Sequence, residues 1–304
     1  MRKIMTIASL LLCVQAFAQL TPEEVKAQYE RQVRNVGYSG LGVENIIDKW
    51  ERVAPDDCEM LLARFNYYLT KSITTKAVPM DQEKYLGSKP SLVLKNESGK
   101  DINYFEVNEF DEDLFARSAQ AIDKAISLAP DELSYRFHKL NALLSYEKES
   151  PDIAREELDD LINYNSSVKP SWKYNGEPAD DETFESAVQE YCYSFFRIGT
   201  PGGYEAFRQI SEKMSKLHPK STTFLANLGS YWLVAKQDNK KALQYYNKVL
   251  KIDPKDYTAA KNCVLLARKE KDSKLEKKYL PILMQATDSE AERESCRQRL
   301  AALH

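Results

Sequence analysis

The residues able to do acid–base or metal chemistry are few and scattered. The 304-residue chain holds three histidines, His138, His218 and His304. None lies in an HExxH pattern or beside a second residue at metal-ligand spacing. His138 falls inside a helical pattern, and His218 precedes a proline at a helix end. The run Gly199-Thr-Pro-Gly-Gly203 has the glycines of a phosphate loop, but it lacks the GxxxxGK[ST] spacing and follows a helical pattern rather than a strand, so it reads as a turn. No GxSxG elbow is present. The acid pairs Asp56-Asp57 and Asp180-Asp181 are the residue types of a two-carboxylate hydrolase. Each precedes a helical pattern, however, where a carboxylate caps free N–H groups and favours the helix dipole. No catalytic residue, metal ligand or cofactor-binding residue is assigned. A non-catalytic chain with no cofactor is expected.

Composition narrows the partner classes. Hydrophobic residues make up 43% and charged residues 29% of the chain, enough for a core and a soluble surface. Only 10 glycines and 12 prolines occur, which suits long helices joined by short turns. The formal net charge is -3. It falls further once an amino-terminal segment carrying Arg2 and Lys3 is removed. A mildly acidic chain without a basic block is a poor match for nucleic acid, which demands clustered Lys and Arg.

Residues 1–18 read as a secretory signal: a basic start, an apolar run from Ile4 to Val14, and Ala16-Phe17-Ala18 as a cleavage box. Cleavage after Ala18 gives an exported chain, periplasmic or extracellular. Cys13 follows Leu12, where a lipidated cysteine normally follows a small residue, which argues against a lipoprotein. The run is shorter than the roughly 20 residues of a membrane span, and no later segment is apolar enough to be an integral span. Cys58, Cys192, Cys263 and Cys296 remain after cleavage. An even count in an exported chain permits disulfides. All four lie in helical patterns, far apart and without a CxxC pair, which favours free, packed thiols. Cys263 with Cys296 is the most plausible bridge if one forms.

The elements are predominantly helical. Thr21-Pro22-Glu23-Glu24 opens a helix with an N-cap Thr, Pro at N1 and acids in the first turn. Residues 19–55 hold two helices, the second from Val43 to Val53. Met60, Leu61, Phe65, Tyr68 and Leu69 give the apolar face of a third. Residues 73–110 form an insertion in which Ser91–Leu94 and Ile102–Val107 flank a Gly-bearing turn, the pattern of a β-hairpin. It serves as a contact element or covers an end of the helical region. Residues 164–181 read as a long polar loop carrying Trp172 and Tyr174, either a ligand-contacting tip or a cover over core. Helical pairs follow on either side, the last with Pro281 expected to kink or split its second helix.

The most specific pattern is Leu225-x2-Leu228-Gly229-x2-Trp232, then Ala242-x3-Tyr246, then Pro254. It resembles the tetratricopeptide repeat: a large apolar residue, Leu-Gly, an aromatic, Ala, an aromatic and a closing Pro. Leu225 stands where the family usually has Trp, and Trp232 where it usually has Tyr. Pro219 and Pro254 lie 35 positions apart, close to the family's repeat of about 34. One such unit cannot bury its own apolar face, so neighbours must stack on it. The resemblance therefore implies an exported bacterial tetratricopeptide-containing protein of all-α class. Its fold would be a tetratricopeptide-like α-solenoid, a right-handed superhelix of antiparallel helix pairs, with the β-hairpin inserted. About five helical pairs would span 56–287, followed by a capping helix over 288–304.

In that family the first helices of the pairs line a groove for peptides or partner helices. By register, Asn141, Gln189, Tyr193, Arg197, Lys261, Arg268 and Lys269 would face it, with Arg and Lys gripping acidic groups of a peptide. The competing reading is an ordinary solvated helix face. The resemblance thus implies a non-catalytic scaffold for a partner protein or peptide, within an envelope-associated complex. The alternative from another class is a glycan- or small-ligand-binding envelope protein using Trp172 and Tyr174.

Overall fold

The computed structural model describes residues 20–303; the expected secretory segment lies outside them. The described residues are an all-α stack of helix pairs with a small inserted sheet, and they divide into two compact units.

The first unit holds α1 (Pro22–Val36), α2 (Val43–Val53), α3 (Cys58–Ser72) and α4 (Glu112–Leu128). Thr21 caps α1 in a capping box with Glu24, each side chain accepting from the other's backbone N–H. Trp50 of α2 is fully buried and donates its indole N–H to Asp57 at 2.9 Å. Asp57 thus bridges α2 and the start of α3. Helices α3 and α4 pair across a long stretch of sequence. The Cys58 thiol lies 3.9 Å from the Ala125 carbonyl, and the Arg117 guanidinium sits over the Tyr68 ring. One end of α3 meets the far end of α4, so the two run antiparallel.

The second unit begins with a sheet. Strands β1 (Ile73–Met80), β2 (Leu92–Lys95) and β3 (Asp101–Phe110) pair antiparallel in the order β1-β3-β2. The expected hairpin is β2 with β3, in a register that pairs Leu92 with Tyr104. The structure corrects the expectation by adding β1. That strand leaves α3 without a turn signal and contains Pro79, which argues against a strand in sequence. At an edge, Pro79 needs no partner for its missing N–H, and this position is an edge.

Helices then follow: α5 (Leu133–Glu147), α6 (Asp152–Val168), α7 (Asp181–Ile198), α8 (Pro201–Leu217), α9 (Thr222–Val234), α10 (Asn239–Ile252), α11 (Tyr257–Lys269), α12 (Ser273–Ala286) and α13 (Glu290–Ala302). From α7 onward each helix packs on the next in sequence, the one-dimensional stacking of a solenoid. Contacts across each pair give its direction. Trp232 of α9 meets Lys241, near the start of α10, and Gly229 meets Tyr246 one turn further on. In α12 and α13, Met284 meets Arg293 while Glu276 meets Arg299. Both pairs are antiparallel.

Gly229 explains the Leu-Gly of the motif. A Cβ there would come within 2.6 Å of the fully buried Tyr246 ring, so the two helices approach only because that side chain is missing. Leu228 and Ala242 are buried beside it, Leu225 and Trp232 are partly buried, and Pro254 lies in the turn before α11. The core here continues through Cys263, Tyr279 and Cys296. All four described cysteines are free thiols, and burial pushes those of Cys192 and Cys263 up to about 12.

One further expectation is corrected. The loop expected over 164–181 is shorter, because α6 continues to Val168. Its last turns are polar for tertiary reasons: the Tyr164 hydroxyl donates to Asp131, and Asn165 accepts from Trp172. The loop itself contains a two-stranded ribbon, β4 (Lys173–Tyr174) and β5 (Glu177–Pro178). Of the kink or split expected at Pro281, the split does not occur: α12 is continuous from Ser273 to Ala286 with the proline inside it.

Candidate functional site

Helix α7 has two faces. Phe184, Val188, Tyr191, Cys192 and Phe195 are buried, at the three- and four-residue spacing of a packed stripe. Away from that stripe lie Glu182, Ser186 and Glu190, all exposed and each one turn from the next. Two furrows run beside this exposed face. One, of 440 Å³, lies towards α5 and is lined by Phe137, Asn141, Tyr174, Ser186, Glu190 and Tyr191, among others. The other, of 430 Å³, lies towards α9 and is lined by Glu182, Glu185, Ser186, Gln189, Glu190, Thr223 and Phe224. Ser186 and Glu190 border both, so the two are adjoining parts of one surface.

Each wall is fixed by contacts that the sequence specifies. Tyr191 reaches from α7 to α5, its hydroxyl donating to the Phe137 carbonyl at 3.3 Å with the rings 5.7 Å apart. Between α7 and α9, Gln189 and Asn227 exchange amide hydrogen bonds at 2.7 and 3.2 Å. Asn227 also donates to the buried Ser211 of α8 at 3.3 Å, so none of its polar groups is stranded. The β4–β5 ribbon is pinned to the start of α5 by Glu132, whose carboxylate accepts from the backbone N–H groups of Asn175 and Gly176 at 2.9 and 3.0 Å. That holds Tyr174 over Phe137, with ring centroids 5.8 Å apart.

The surface is apolar on the α5 side and acidic along α7. Glu185 meets the His218 imidazole at 2.7 Å, an ion pair only when that ring is protonated. Glu182 and Glu190 form no ion pair among the described residues. Helix α9 carries no charged residue between Thr222 and Val234. On α5, Lys139 is paired with Glu157 at 2.5 Å, and burial pushes the His138 imidazole below its ordinary pKa, which favours its neutral form. Among the described residues that line the two furrows, none is a Lys or Arg.

The expected contact residues separate into three groups. Asn141 and Gln189 do border the furrows, although Gln189 is committed to Asn227. Tyr193 and Arg197 belong elsewhere. With Arg197 over the Tyr193 ring, they line a 550 Å³ cleft with Tyr85, Phe196 and Tyr204. The segment bearing Tyr85 closes onto the end of α7 at Gly87, whose φ of +75° and contact with the Arg197 carbonyl leave no room for a side chain. Lys261, Arg268 and Lys269 sit on α11. Lys261 pairs with Glu292 at 3.3 Å and bonds Tyr257, Arg268 pairs with Glu276 at 2.7 Å, and Lys269 is exposed at the helix end. The expected cations thus lie away from the two furrows, Lys261 and Arg268 in ion pairs and Lys269 exposed, while the furrows themselves carry acid.

For the aromatic loop, Trp172 fits the cover reading and not the ligand-contacting tip. Trp172 is only 4% exposed, stacks on Phe184 at 5.7 Å and 7°, and donates to Asn165 at 2.8 Å. It is core, unavailable to a glycan. Tyr174 is 44% exposed and borders the furrow on the α5 side. Sequence reading missed Phe137, Glu182, Ser186 and Glu190. The signal for the three α7 residues was the four-residue spacing of Glu182, Ser186 and Glu190, masked at Glu182 because acids in a first turn also serve the helix dipole.

No family model matches the chain, and no curated protein matches it. Among solved structures, the chain is similar to pilF of Pseudomonas aeruginosa, at 18% identity over 62% of this chain and 75% of that one, with a TM-score of 0.39. It is also similar to the flexible tandem repeat domain of a bacterial cellulose synthase, at 15% identity over 93% and 97%, with a TM-score of 0.29. These values are too low to transfer a site or a partner to this chain.

Proposed function

We propose that the chain is a non-catalytic interaction scaffold that holds a segment of a partner protein along the furrows beside α7. One observation carries this reading: an apolar recess under Tyr174 and Phe137 adjoins carboxylates left without ion-pair partners among the described residues. An apolar pocket with a few polar groups at its border is the usual anatomy of a recognition site. With the segment over 1–18 as a secretory signal, the partner belongs to the exported or envelope-associated proteins.

The reading is tested by crosslinked affinity capture of the full chain from its own cells. Wild type is compared with Ser186→Trp, which fills the surface between the two furrows from an exposed helix position. A protein partner recovered by wild type and lost from the variant, with an unchanged circular dichroism spectrum, is the expected result. Equal recovery by both moves the interaction off this face and contradicts the reading.

A further inference from the structure

We infer that the segment held beside α7 is basic, with an apolar side chain between two cationic ones; this rests on the furrow reading above. The charge pattern is one-sided. Among the described residues Glu182 and Glu190 stand two turns apart on α7 without ion-pair partners, α9 contributes no charge, and no Lys or Arg lines either furrow. Ser186 lies midway between the two acids, a small residue beside the recess formed by Phe137, Tyr174 and Tyr191. Along the exposed line of α7 the order is therefore acid, a small residue beside the apolar recess, and acid, with Glu190 bordering the recess and Glu182 the adjoining furrow.

The spacing fixes the complement. Eight residues of α-helix separate the two carboxylate positions by about 12 Å along the axis, at about 1.5 Å per residue. An extended segment advances about 3.3 Å per residue, so its cations fall about four residues apart. Side chains of an extended chain alternate in direction, so the first, third and fifth positions share a face. The complementary motif is Lys or Arg, any residue, a large apolar residue, any residue, then Lys or Arg. Exposed carboxylates contribute modestly and are screened by salt, so the recess supplies the anchor while the acids set preference and orientation.

The test is selection of a random peptide display library on the immobilised full chain. Selected peptides are then titrated against wild type, Glu182→Gln/Glu190→Gln and Ser186→Trp. Enrichment of the basic–apolar–basic motif supports the inference. It should come with about tenfold weaker binding to the double Gln variant, the loss expected from two exposed ion pairs, and with loss of binding to Ser186→Trp. Neutral or acidic peptides that bind wild type and the double Gln variant equally, yet fail on Ser186→Trp, overturn the charge inference and leave the furrow reading standing. Peptides indifferent to Ser186→Trp, or no enrichment at all, overturn both.

Discussion

The α7–α9 face and the α11–α13 end use their charges in opposite ways. At the α11–α13 end, Glu276 is buried at 2% side-chain exposure, and its carboxylate accepts from Arg268 at 2.7 Å and from two nitrogens of Arg299 at 2.9 Å. Arg293 reaches the Met284 and Thr287 carbonyls, and Lys261 is held by Glu292. Beside α7, Glu182 and Glu190 meet no cation among the described residues, and the neighbouring α9–α10 pair is held by the fit of Gly229 against Tyr246. A charged residue on a repeat helix therefore says little by its type. Whether the next helix supplies its partner decides between architecture and recognition.

Four sets of substitutions probe this difference. The largest effect is expected at the packed pair: Tyr246→Ala removes a fully buried ring and the hydroxyl facing Ser230. It should cost about 3–5 kcal/mol in chemical denaturation, little altered by salt. Next is Arg268→Met/Arg299→Met, which strands the buried Glu276 without either cation. It should lower the denaturation midpoint more than Glu276→Gln does, because a lone buried carboxylate is worse than a neutral amide. If the order is reversed, charge does not hold that end together.

Glu276→Gln itself should cost about 1–2 kcal/mol at neutral pH, the scale of lost charge-assisted hydrogen bonds. The bonds from Arg299 and Arg268 hold its carboxyl below the ordinary range. Its stabilisation is therefore complete above the unfolded pKa and disappears as pH falls through the lower folded one. The gap between wild type and Glu276→Gln should close in acid, and a gap that widens there contradicts the assignment. The smallest effect is expected beside α7, where Glu182→Gln/Glu190→Gln should change stability by less than about 0.5 kcal/mol in the same assay. A larger loss would make those acids structural and erase the contrast.

How much was legible in the sequence follows the same division. The α9–α10 pair was readable because Leu228, Gly229, Ala242 and Tyr246 perform one packing task at fixed spacing, and backbone approach at Gly229 admits no substitute. Most helix ends were readable from caps such as Thr21 and Asp180, which accept from backbone N–H groups where expected. The end of α6 was not, since Tyr164 and Asn165 are polar for the sake of Asp131 and Trp172, partners remote from the local pattern. Nor was β1, because the edge position that tolerates Pro79 is a property of the folded sheet. The candidate site was least legible. Of the residues picked by register, Asn141 and Gln189 border the furrows. The pairing of Lys261 and Arg268, and the freedom of Glu182 and Glu190, depend on which helices come to lie beside α11 and α7.

The most direct test of the central claim is photocrosslinking in living cells, with a photoreactive residue at Ser186 beside α7 and, separately, at the exposed Lys277 of α12. A discrete protein adduct formed from position 186 and absent from position 277 is the predicted result. Adducts equal from both positions, or none from 186, would contradict it.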